Sequence, residues 1–278
     1  MYATLIAVAV LWGAATGLLV PRAAYRLSVD PEEAWRDVCP AGHPFTGPAR
    51  GWLGLARCAP CGVAVPAGGP GHHPDRAHPA PAAAPPPTGP AAPSTLTARP
   101  LTAPVVTALA CGALAAATGP HPELAVWLLL APFAVLLAAV DAGVHRLPDR
   151  LTLPLAAAAS GLLGVAALLP GHAGTWTSAL LGGLVLGAAY FTLFLINPNG
   201  MGFGDVKLAL SLGVALGWYG WGILFAGAFA GFLFGALYGI GLVVLGRASR
   251  KSAIPFGPFM IGGALLGLLL GAFTATPV

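Results

Sequence analysis

From residue 101 to about residue 274 the chain is a succession of apolar runs separated by short polar breaks, and each run approaches the length an α-helix needs to cross a bilayer. The runs cover about 101–119, 123–141, 152–170 and 176–196. A longer one, Leu208 to Gly246, is broken at Gly217–Gly222 (GWYGWG) and reads as two spans joined by a tight interfacial turn rich in aromatics. The last covers Ile254 to about Thr274, and residues 2–20 form an earlier run of the same kind. The expected fold is therefore an all-α polytopic membrane protein with about eight transmembrane helices. With 57% of residues hydrophobic, 8% charged and a mean hydropathy of +0.81, a soluble domain with a large core is excluded.

No Lys or Arg precedes residues 2–20, whereas a cleaved secretory signal begins with a positive region, so residues 1–20 are expected to stay as a first span. Residues 21–100 are the long polar section. Its first part, 21–65, reads as a small cytosolic insert. Its second, 66–100, is a Pro/Ala-rich linker that cannot bury a core and leaves His72, His73 and His78 solvated. Residues 101–278 form the main membrane domain. The loops at 21–100, 142–151, 197–207 and 247–253 hold seven, two, one and three of the 13 basic residues, and the opposite loops near 120, 171 and 219 hold none. Positive charge stays inside, so the insert is expected in the cytosol and both termini outside. A formal charge of +4, concentrated in loops, gives no footprint for nucleic acid, and the expected partner is the lipid bilayer.

Against this apolar background the stretch NPNGMGFGDVKL, Asn197 to Leu208, stands out. Its Asp205 and Lys207 lie at or inside a membrane boundary, where ionisable groups are expensive and usually functional. Gly200, Gly202 and Gly204 strip side chains from the backbone before Asp205 and allow another helix or an extended peptide to approach. The plainer alternative is a glycine-rich turn with Asp205 capping a helix. Lys207 is open to two readings, a snorkelling interfacial lysine or a steering group for an acidic substrate residue. One other acidic residue ends an apolar run, Asp141 in VLLAAVDAGVHRLPDRLTLP. Asp149, after Pro148, reads as a helix cap or an interfacial ion-pair partner. Were the segment helical throughout, Asp141 and Asp149 would stand about 12 Å apart, too far to share a water. Asp141 and Asp205 end spans on one side of the membrane, so bundle packing can bring them face to face.

The segments DAGVHRLPDRLTLP, GMGFGDVKL and IPFGPFM (Ile254–Met260) together resemble the prepilin peptidases, or type IV leader peptidases, membrane aspartyl proteases named for a Gly-x-Gly-Asp motif. The resemblance implies that Asp141 and Asp205 are catalytic, with Gly202, Gly204 and Lys207 supporting the motif. It implies a bacterial cell membrane location, and a prepilin or pseudopilin substrate cut after a Gly between a polar leader and an apolar helix. Two carboxylates suit that reaction. Like charges a few ångströms apart in a low dielectric cannot both ionise, so the ionised member activates water while the neutral one donates to the scissile carbonyl oxygen. No metal or other cofactor is needed for that step, and the base cannot be assigned to either Asp.

The resemblance also implies two CxxC pairs and zinc in the insert. Cys58-Ala-Pro-Cys61 is one pair, but the first reads Cys39-Pro-Ala-Gly42-His43, so the implied structural zinc site is Cys39, His43, Cys58 and Cys61. A lone CxxC could instead be redox-active or inert. Cys111, within a span, reads as a small apolar residue. GLLVPRAAYRLS (Gly17–Ser28) resembles the family's segment after the first span, although Pro21 replaces a typical Asn. Relatives that methylate the new N-terminus use S-adenosylmethionine, and no glycine-rich nucleotide fingerprint supports that activity independently here. Two other classes compete. A proton- or cation-coupled transporter could use the paired aspartates as a relay, but it predicts related halves and the glycine-rich break occurs once. A structural subunit whose cytosolic insert binds a partner would use both aspartates as caps and would tolerate the loss of at least one.

Overall fold

The computed structural model describes residues 2–29, 33–39, 42–54, 57–58, 60, 101–198, 200–247 and 254–275. The expected linker at 66–100 and the fourth metal ligand, Cys61, lie outside the described residues. Every named element is a helix. They are α1 (Tyr2–Gly17), α2 (Val20–Leu27), α3 (Pro48–Gly51), α4 (Thr102–Thr118), α5 (Glu123–Val144), α6 (Asp149–Ala166), α7 (Trp176–Ile196), α8 (Phe203–Gly217), α9 (Trp221–Val244) and α10 (Gly257–Ala275).

Each expected apolar run contains a helix, but among the described residues five helical segments are long and apolar enough to cross a membrane: Tyr2–Leu27, α5, α7, α9 and α10. The expected count of eight exceeds this for three reasons. α4 is apolar but has 17 residues. α6 spends its first turn on Asp149 and Arg150. α8 has 15 residues, about 22 Å of helix, short of a hydrocarbon core of about 30 Å. The first helix also extends past residue 20, through a break at Leu18–Leu19, into α2 with Pro21 in its first turn.

α8 is the enclosed element of the bundle. It packs against α7, α6, α10 and α9 and buries Val206, Leu208, Ala209, Val214 and Leu216. A short helix buried among others need not match the bilayer thickness itself. Its contact with α7 is backbone on backbone: a Cβ on Gly213 would stand 2.5 Å from the Gly182 carbonyl oxygen. Lipid is as apolar as leucine, so membrane helices associate through such close packing rather than through a hydrophobic drive. The rim carries Phe191, Phe225, Phe229 and Phe273, all exposed, as a lipid-facing surface requires.

At one end the loops are tied together by polar contacts. Glu123 accepts the Ala173 N–H (3.1 Å), Thr175 N–H donates to the Trp218 carbonyl (3.0 Å), and Trp127 Nε1 donates to the Tyr219 hydroxyl (3.2 Å). The other end holds the insert. Arg22 and Arg26 of α2 are buried and lie over the rings of Phe45 (4.7 Å) and Trp52 (4.0 Å), while their guanidinium groups donate to the carbonyls of Thr46 and Arg50. Arg26 also pairs with Asp37. These arginines pin Asp37 and residues 45–52 onto α2, which itself packs on α5.

Candidate active site

Asp141 sits in the last turn of α5, 4% exposed, just before the chain leaves the helix through His145 in a left-handed conformation. Its Oδ2 accepts the backbone N–H of Gly257, the first residue of α10, at 2.8 Å. Gly257 is required sterically as well, because a Cβ there would stand 2.8 Å from the same oxygen and 3.3 Å from Asp141 Cβ. Asp205 is the third residue of α8, 7% exposed. Its Oδ2 accepts the Gly202 N–H at 3.1 Å, and its own N–H donates back to the Gly202 carbonyl at 3.0 Å. The capping geometry considered from sequence is therefore present, on a carboxylate that is also buried. Among the described residues no other hydrogen bond reaches either carboxylate, so each has one oxygen fixed by a backbone amide and one left for a reactant.

The two carboxylates are brought together indirectly. α10 packs on both α5 and α8, and the two carboxyl groups lie within electrostatic reach of each other. Leu147, in the turn after α5, belongs to the same buried cluster as Val206, Leu208 and Met260. Gly204 lets the start of α8 close onto that turn, for a Cβ at Gly204 would lie 2.9 Å from Leu147 Cβ. Lys207 is engaged with Asp149 and Phe203. Its Nζ pairs with Asp149 Oδ2 at 2.6 Å and lies 4.7 Å from the Phe203 ring centre, which gives Asp149 the ion-pair place considered from sequence and ties α6 to α8.

Two neighbours of the site were not singled out from the sequence as site residues. Gly257 acts through its backbone, and its hints were its place in the IPFGPFM segment and a Gly-Pro pair opening a helix. Tyr190, in the middle of apolar α7, is 2% exposed, lies within electrostatic reach of Asp205, and packs on Phe232 and Phe256 at ring-centre distances of 5.4 and 6.3 Å.

In the insert, Cys39, His43 and Cys58 present ligand atoms that all lie within 4.8 Å of one another, with Cys39 Sγ and His43 Nδ1 at 3.7 Å. Gly42, which interrupts the CxxC spacing, adopts φ +82° and turns the chain so that Cys39 N–H donates to the His43 carbonyl and Gly42 N–H to the Cys39 carbonyl. Two thiols and an imidazole within 4.8 Å of one another are a donor set of the kind that zinc takes.

Residues 128–240 match the profile of the type IV leader peptidase family. Three curated relatives, each named prepilin leader peptidase/N-methyltransferase, align with this chain. The protein of Aeromonas salmonicida (strain A449) is 38% identical over 148 residues, 52% of this chain and 48% of the relative. That of Aeromonas hydrophila is 36% identical over 171 residues, 60% and 57%. That of Pseudomonas aeruginosa is 34% identical over 153 residues, 52% and 47%. The chain thus spans about half the length of the curated relatives it matches. No solved structure matches it. The segment that resembles the type IV leader peptidase family, residues 128–240, holds both Asp141 and Asp205.

Proposed function

We propose that the chain is an intramembrane aspartyl endopeptidase that removes the leader from type IV prepilins or pseudopilins at the cytosolic membrane face, with Asp141 and Asp205 as its catalytic pair. The observation that carries this is two buried, interacting carboxylates, each with one oxygen held by a backbone N–H, inside the family-matching segment. A water between the remaining oxygens would lose a proton to the ionised member as it attacks the scissile carbonyl carbon. The protonated member would give its proton to the carbonyl oxygen. Collapse of the tetrahedral intermediate then breaks the C–N bond and passes a proton to the leaving amine. The eight helices would form one bundle with the insert in the cytosol and both termini outside, which puts this pair at the cytosolic face. Gly202 keeps the backbone before Asp205 open to an extended substrate, Gly204 instead lets the start of α8 close on Leu147, and Lys207 holds the start of α8 through Asp149.

Zinc in the insert would be held by Cys39, His43, Cys58 and Cys61, a closed set without a position for a reacting water, so its role is structural. The same reading extends to N-methylation of the new N-terminus with S-adenosylmethionine as donor, supported by the relatives' names.

Co-expression with a candidate prepilin tests the proposal. Asp141→Asn and Asp205→Asn should each abolish the cut while the protein stays folded in the membrane, and Asp149→Asn should retain measurable cleavage because its partner Lys207 is outside the pair. Cleavage by all three variants would refute the aspartyl mechanism. A dead Asp149→Asn beside an active Asp141→Asn would move the first carboxylate to Asp149.

A further inference from the structure

A cavity of about 520 Å³ opens between the insert and the turn that joins α5 to α6. The insert supplies Glu33 and Trp35, and the opposite wall runs from Val140 through Arg146, Leu147 and Asp149. Neither half makes the cavity alone. It also borders the proposed catalytic pair on two sides. Val140 is the neighbour of Asp141 in α5, and Leu147 is the residue on which Gly204 packs, one position before Asp205.

The chemistry of the walls narrows the occupant. Asp149 is engaged with Lys207, and Arg150 lies over the Trp35 ring at 5.0 Å. Glu33 and Arg146 have no ion-pair partner among the described residues. An acyl chain or an apolar helix would leave these ionised groups facing hydrocarbon, at high cost. An extended polar peptide offers a donor and an acceptor at every residue and charged side chains for Glu33 and Arg146. The volume lies within the roughly 300–1,000 Å³ of small-ligand sites, room for a few residues rather than a folded partner.

Resting on the protease reading above, we propose that this cavity is the leader subsite: it holds the polar segment on the N-terminal side of the scissile bond, with Glu33 and Arg146 as its charged contacts. The apolar side of a membrane-embedded substrate stays with the lipid-facing helices, so its polar side must leave toward the charged loops, where this cavity lies. The insert then has a direct part in recognition, and the pinning of Arg36 N–H to the Arg26 carbonyl (3.2 Å) holds the wall that bears Trp35.

Two measurements on the full chain test this. The photo-crosslinker p-benzoylphenylalanine is placed at Ala34, a wall residue, in the Asp205→Asn background, and the protein is irradiated with a synthetic peptide carrying a polar leader, a glycine and an apolar helix. Crosslinks should fall in the leader; crosslinks confined to the apolar side overturn the assignment. Steady-state cleavage of the same peptide should show KM raised about tenfold in Glu33→Gln or Arg146→Gln with kcat within about twofold, the signature of lost binding common to ground and transition states. If both variants keep the parent KM while the parent chain cuts, the subsite is wrong and the protease reading stands. If the parent chain leaves the peptide intact, both fall. Competitive inhibition of cleavage by S-adenosylmethionine would put the methyl donor in this cavity and overturn the leader assignment.

Discussion

Replacing Gly257 by Ala isolates what the α10 amide does for Asp141. Alanine keeps the N–H, and Gly257 has no positive φ, so neither a lost donor nor backbone strain enters. What changes is one methyl group, placed 2.8 Å from Asp141 Oδ2 and 3.1 Å from Cγ, closer than such atoms approach. The carboxylate is buried, and its Cβ is fixed to α5, 3.3 Å from the same point, so the group must rotate off its 2.8 Å hydrogen bond or α10 must retreat. A hydrogen bond to a charged group contributes about 1.5–3 kcal/mol. At about 1.4 kcal/mol per decade, losing it from the carboxylate proposed to react should lower kcat by roughly 10- to 150-fold, with KM little changed. Overpacking adds about 1–3 kcal/mol of destabilisation, visible as a lower melting temperature in detergent. The assay is cleavage of a prepilin-type peptide by the purified variant, with Gly262→Ala as control, because a Cβ there meets only Phe234 at 3.7 Å. If Gly257→Ala keeps kcat within threefold of the parent, the amide does not position Asp141 for reaction.

Other outcomes follow from the packing and the insert. Gly213→Ala should lower the melting temperature strongly, because its methyl group would stand 2.5 Å from the Gly182 oxygen and 2.8 Å from Gly183 Cα, whereas Gly161→Ala, with nothing within 4 Å, should be neutral or stabilising by up to about 1 kcal/mol. Metal analysis of the purified chain should give about one zinc per molecule and almost none for the Cys58→Ser/Cys61→Ser variant; equal, near-zero zinc in both refutes the site. Reporter fusions near residue 85 and near residue 172 should report opposite sides of the membrane, and two reporters on one side would sink the topology.

What could be read from the sequence follows the reach of each signal. Helix positions were legible because hydropathy is a local property: α7 coincides with its apolar run, and the GWYGWG break falls between α8 and α9. Whether a given helix crosses the bilayer was less legible, since α8 is apolar enough but too short, and its neighbours rather than lipid surround it. The two aspartates stood out because ionisable residues are rare in apolar surroundings. Their partners did not. The amide that holds Asp141 lies 116 residues away on a residue without a side chain, and the Lys207–Asp149 pair joins helices whose adjacency no local pattern encodes. In the insert, arginines stacked on Phe45 and Trp52 look from sequence like ordinary cytosolic charge. Gly42, which seemed to spoil a CxxC pair, is the turn that returns His43 to Cys39.

The hydrogen bond from α10 to Asp141 also sets a clock on biogenesis. Synthesis runs from the N-terminus, so both aspartates enter the membrane while residue 257 is still to be made. Until α10 docks, Asp141 has lost its one backbone partner, and α5 and α8 lack the helix that packs on both. On the protease reading, a chain inserted only as far as α8 would be inert, and competence would arrive in one step when α10 takes its place.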